Sequence, residues 1–102
     1  MANFFEIVVK KETVFGKKSV KRHAVQSEYD ARKMFVSIGN EIASQSYASY
    51  PQTQYFDANG FSFYSESGPR VRDLDDCQKY MIRMSDKDCT TVTVSIHKKS
   101  FE

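Results

Sequence analysis

"SEYDARKMFVSIGNEIASQ", residues 27–45, decides the fold, because its apolar residues recur at helical rather than alternating spacing. Ser27 offers a side-chain oxygen to the free amide groups of a first turn, and Glu28 and Asp30 put negative charge at the positive end of the helix dipole. Ala31, Met34, Phe35, Ile38 and Ile42 then fall on a single stripe, which predicts an amphipathic helix with one side to bury. Gly39 interrupts it at a cost of about 1 kcal/mol relative to Ala, a cost that close packing against a neighbouring layer would explain. Such a helix needs a sheet to cover, and the flanking sequence supplies strands.

Upstream, "FFEIVVKKETV" (residues 4–14) alternates Phe5, Ile7 and Val9 toward one face, while Phe4 and Val8 add apolar groups to the other. Gly16 in "VFGKK" can take a positive φ, and "SVKRHAV" follows as a second strand, so an antiparallel hairpin is expected. Downstream, "SQSYASYPQTQYFDANGFSFYSESGPR" (residues 44–70) is polar and aromatic. Pro51 closes off any helix before it, Asn59-Gly60 predicts a type I′ hairpin turn, and Gly68-Pro69 marks a further turn. "TTVTVSIHKK" (residues 90–99) reads as a strand with Val92, Val94 and Ile96 on one face.

"DLDDCQKYMIRM" (residues 73–84) fits two patterns. Asp73 could cap a helix carrying Leu74, Cys77, Met81 and Met84 on one face, or Tyr80, Ile82 and Met84 could alternate in a strand. The favoured reading is a short helical turn near residues 73–77 and a strand over 78–85. A three-residue loop at Asp86, Lys87 and Asp88 then sets Ile82 opposite Val92 and Tyr80 opposite Val94, matching the apolar sets; a two-residue loop would put them on opposite faces. The expected fold is α+β, a mostly antiparallel sheet with one main amphipathic helix on one face, in the approximate order ββαββββ and as a single domain over residues 1–102.

The totals agree with that size. The chain has 102 residues, enough for one core that buries roughly 60–70% of the unfolded surface without staples. Hydrophobic content of 40% with 27% charged residues excludes a disordered chain. No apolar run approaches the roughly 20 residues of a membrane span, and "MANFFEIVVKK" lacks the features of a secretion signal. Cys77 and Cys89 fall about 30–40 Å apart along the last hairpin, beyond the roughly 7 Å that a disulfide allows, so reduced thiols and a cytoplasmic location are expected.

Catalytic groups are scarce. His23 and His97 stand alone, no CxxC pair occurs, and "DLDD" lacks the Gly and Glu of a calcium loop. The favoured register puts Cys77 across from His97, yet nothing beside Cys77 would lower its pKa or hold an oxyanion. No catalytic residue, metal or cofactor is therefore expected, and binding is the remaining class.

Two surfaces are candidates. Tyr47, Tyr50, Tyr55, Phe56 and Tyr64 lie among Ser, Gln and Asn, a mixture that combines rigid contact area with adaptable hydrogen bonding. On that basis the leading expectation is a small binding protein, monomer or homodimer, that regulates or inhibits a protein partner by covering its surface, in the style of a phage or bacterial accessory protein. The alternative is nucleic acid. Residues 1–26 carry six Lys or Arg against two Glu, whereas the whole chain is only +2. Lys10, Lys11, Lys17, Lys18, Lys21 and Arg22 would surround the first hairpin with Phe15 at its turn, offering phosphate contacts and a stacking ring. The same lysines could simply guard an edge strand against aggregation.

Overall fold

Alternating apolar residues from opposite ends of the chain meet in the middle of one sheet. The computed structural model describes residues 3–44, 52–57, 62–64, 77–83 and 89–100. In chain order these form β1 (Asn3–Glu12), β2 (Lys18–Val25), α1 (Glu28–Ser44), β3 (Gln52–Asp57), β4 (Ser62–Tyr64), β5 (Cys77–Arg83) and β6 (Thr91–Ser100). The strands lie in the order β2-β1-β6-β5-β3-β4, with every neighbouring pair antiparallel. The fold is α+β, and its element order is ββαββββ as the sequence predicts.

The first hairpin turns on Gly16, whose φ of 86° lies in the left-handed region open to glycine. Its N–H donates to the Thr13 carbonyl (3.1 Å), and the Thr13 N–H donates across to Lys17 (3.0 Å). At the start of α1, Ser27 accepts from the Asp30 N–H through Oγ (3.4 Å) and from the Ala31 N–H through its carbonyl (2.9 Å). The cap works as its residue type predicts. Ala31, Phe35 and Ile42 are buried and Ile38 packs beside them, while Met34 sits at the edge of the stripe, 37% exposed.

Beneath the helix lie Ile7 and Val9 of β1, Val92, Val94 and Ile96 of β6, and Tyr80 and Ile82 of β5. Tyr80 joins the layers. Its ring meets Phe35 edge-on at 4.7 Å, and its hydroxyl donates to the Phe35 carbonyl. The Gly39 backbone lies near enough to this hydroxyl to favour its ionised form, and Gly39 itself is buried. The glycine therefore occupies the helix–sheet contact.

The β5–β6 register pairs Ile82 with Val92 and Tyr80 with Val94, the match the alternation requires. The intervening residues 86–88 lie outside the described residues. Cys77 is already strand, which corrects the helical turn expected to include it; residues 73–76 lie outside the described residues. A register shift between β3 and β5 pairs Phe56 with Lys79 but Asp57 with Cys77, leaving Gln78 as the extra residue of a bulge. That bulge turns Cys77 inward, 1% exposed, where the Arg32 guanidinium from α1 donates to its carbonyl.

β3 and β4 pair antiparallel as the expected hairpin requires, with Phe56 opposite Ser62 and Tyr55 opposite Phe63. The Asn59-Gly60 turn, for which a type I′ geometry is expected, lies outside the described residues. No helix among the described residues is long and apolar enough to cross a membrane.

Candidate functional site

One sheet face carries α1, and among the described residues the other has no helix over it. Strand parity decides what that open face shows. On β1 the outward residues include Glu6, Val8 and Lys10; on β2, Arg22; on β6, Thr93, Ser95, His97 and Lys99; on β5, Lys79 and Arg83. The ladder aligns five of the outward residues in one row that crosses the sheet. Arg22 pairs with Val8, Val8 with Ser95, Ser95 with Lys79 and Lys79 with Phe56. At about 4.8 Å per strand the row spans about 19 Å.

A shallow concavity of about 350 Å³ lies along this row, with Arg22 on one side and Lys79 on the other, and with Lys10 and Lys99 also on its wall. Val8 is among its lining residues and is only 6% exposed although it faces away from the helix. Long cationic side chains flank it, and their aliphatic stems are suited to shield such a floor. Arg22 is held by Glu6, whose Oε1 accepts from the guanidinium at 2.8 Å. The Arg22 side chain is 62% exposed, so this pair contributes little to stability and mainly sets where the guanidinium points. His97 Nε2 lies 3.0 Å from Ser95 Oγ. At the far end of the row the Lys79 ammonium sits 4.4 Å from the centre of the Phe56 ring.

Topology concentrates charge more than the linear sequence shows. The three adjoining strands β2, β1 and β6, taken as residues 3–25 and 89–100, carry eight Lys or Arg against two Glu, net +6. The remainder of the chain carries seven against eleven, net −4. All eight of these cations are exposed. Edge protection accounts for Lys18, Lys21 and Arg22 on the outer strand β2. It does not account for Lys10 and Lys11, which pair on both sides within β1.

The residues singled out from sequence are distributed unevenly. Lys10 and Arg22 reach the open face, Lys11 and Lys21 lie on the helix-bearing face, and Lys17 and Lys18 flank the hairpin tip. Phe15 stands at that tip, 74% exposed. In the aromatic set Tyr55 is a correction: it is 1% exposed and packs toward Tyr80, ring centres 6.3 Å apart, so it cannot touch a partner. A tyrosine ring buries well when its hydroxyl finds a partner, and Tyr55 has polar or electrostatic contacts. Phe56, its neighbour, faces the open side half-buried. Tyr64 lies in β4 with its backbone opposite Gln54, and Tyr47 and Tyr50 fall outside the described residues.

Lys79, Lys98, Lys99, His97 and Ser95 were not singled out as binding residues. For His97, Lys98 and Lys99 the signal was the "HKK" end of the last strand, whose position beside β1 no local pattern reveals. Cys77 and His97 do not form a reactive pair, because the thiol is in the core and the imidazole on the exposed side. Both cysteines are free, and among the described residues no three His, Cys, Asp or Glu side chains group as a metal site. No family model, curated protein or solved structure matches the chain.

Proposed function

We propose that the protein binds nucleic acid, without a catalytic step, through the basic half of its sheet. The observation that carries this reading is the exposed net +6 gathered on β2, β1 and β6, with Lys10, Arg22 and Lys99 on the open face and Lys11, Lys21 and Lys98 on the other, in a chain whose total is only +2. Phosphate contacts by Lys and Arg supply most non-specific affinity for nucleic acid. The open face adds what a purely electrostatic surface lacks: the half-buried Phe56 ring as apolar surface, and Ser95, Thr93 and His97 as hydrogen-bonding groups between the cations. Loss of Tyr55 to the core weakens the competing picture of an aromatic surface for a protein partner.

The test is binding of labelled oligonucleotides as salt is raised from about 50 to about 200 mM. If about six cations meet phosphates, the logarithmic slope is roughly −4 and affinity falls by about two to three decades across that range. Charge removal at Lys10 and Lys99 should weaken binding. Absence of binding at low salt, or affinity indifferent to salt, rejects the reading. Capture of a partner from lysate that survives nuclease treatment would instead point to a protein.

A further inference from the structure

Resting on that reading, the geometry points to single-stranded nucleic acid as the ligand, laid across the open face from Arg22 over Val8, Ser95 and Lys79 to Phe56. Three observations converge. First, the cations of the row flank an apolar ring: Phe56 lies half-buried beside Lys79, while Val8, 6% exposed, underlies the long side chains between Arg22 and Ser95. A duplex keeps its bases stacked inside and presents a polar, charged exterior, so it has no use for such a ring; a single strand exposes base faces and phosphates together. Second, the face is a broad, shallow surface, and the row of about 19 Å is long enough for several nucleotides to lie along it.

Third, Phe56 and Lys79 form a ready pair. The ammonium rests 4.4 Å from the ring centre, and such a contact at a partly exposed site is weaker than the stacking of a base on an aromatic ring. An arriving base takes the ring, and the displaced ammonium takes the adjacent phosphate. At the other end Arg22 exchanges its Glu6 partner for a phosphate, which its planar fork fits in bidentate fashion. Ser95 and His97 offer both donor and acceptor atoms to base edges between the two cations.

The experiment compares a short fluorescein-labelled oligothymidine with a mixed-sequence duplex of equal length, by fluorescence anisotropy at one fixed salt concentration. The wild-type chain is measured beside Phe56→Leu, Lys79→Gln and the helix variant Lys33→Gln, each checked for folding by circular dichroism. The oligothymidine is expected to bind at least about tenfold more tightly than the duplex. Phe56→Leu should weaken it about tenfold, within the range for loss of one stacked base, and Lys79→Gln about threefold; the helix variant, an exposed cation on the other side of the sheet, should change it less than either. Should Phe56→Leu fail to fold, Lys79→Gln against the helix variant decides. Equal affinity for both probes, or oligothymidine binding unmoved by the row variants, overturns this inference while leaving nucleic-acid binding in place. No binding to either probe removes the proposed function with it.

Discussion

Tyr80→Phe tests how α1 is fastened to the sheet, and the structure fixes both the size of the effect and its dependence on pH. The substitution keeps the ring, which is fully buried and edge-on to Phe35, and deletes only the hydroxyl. That hydroxyl donates to the Phe35 carbonyl and lies near the Gly39 backbone. Phe35 and Gly39 are four residues apart in α1, so their carbonyl and N–H can satisfy each other along the helix when the hydroxyl is gone. No buried group need be stranded. The cost should therefore be the net worth of one hydrogen bond, about 0.5–1.5 kcal/mol, and not the larger penalty of an unpaired group. For a chain of this size about 1 kcal/mol lowers Tm by roughly 4–8 °C.

Burial raises the Tyr80 hydroxyl far above its ordinary value of 10.0, with smaller upward contributions from Cys77 and Tyr55 and an opposing one from the Gly39 backbone. The folded value thus exceeds the unfolded one. Its contribution is fully present below pH 10.0 and is lost as pH rises, because only the unfolded chain releases this proton. Each further pH unit costs about 1.4 kcal/mol. Effects of other groups cancel between wild type and variant, so the two stability curves should cross at roughly pH 10 to 11. Urea melts followed by circular dichroism at several alkaline pH values measure this. A difference above about 3 kcal/mol near neutral pH, or a constant gap through the alkaline range, would refute the arrangement.

Glu6→Gln should raise affinity for single-stranded nucleic acid several-fold in anisotropy titrations, since it frees Arg22 and removes a negative charge, while costing at most about 1 kcal/mol of stability; weaker binding would mean that the carboxylate itself contacts the ligand. Gly16→Ala should destabilise by about 1–2 kcal/mol in urea melts. A Cβ there meets nothing within 4 Å, so the loss would come from the backbone at φ 86° alone, and an unchanged midpoint would contradict that turn. Thiol titration under native conditions should label Cys89 promptly and Cys77 only on unfolding; two fast thiols would show that β5 does not seal the core.

What could be read from the sequence was whatever is encoded locally. Ser27 and the Ala31, Phe35, Ile42 stripe specify α1 within a few turns, and the match of Tyr80 and Ile82 to Val94 and Val92 follows from parity across one short connection. Two things were not local. The bulge at Gln78 breaks the parity that would have set Cys77 opposite His97, and bulges leave no reliable mark in a single sequence. The pairing of β1 with β6 joins residues such as Ile7 and Ile96 from opposite ends of the chain, and alternation alone fits any partner with a matching apolar face. That pairing makes the site. It sets Lys99 opposite Phe4 and Ser95 opposite Val8, and so turns a modestly basic hairpin into the edge of a wider basic surface. The aromatic segment illustrates the converse: composition marks Tyr55 and Phe56 alike as contact residues, but adjacent strand positions face opposite ways, which leaves Tyr55 in the core and only Phe56 on the open face for a ligand.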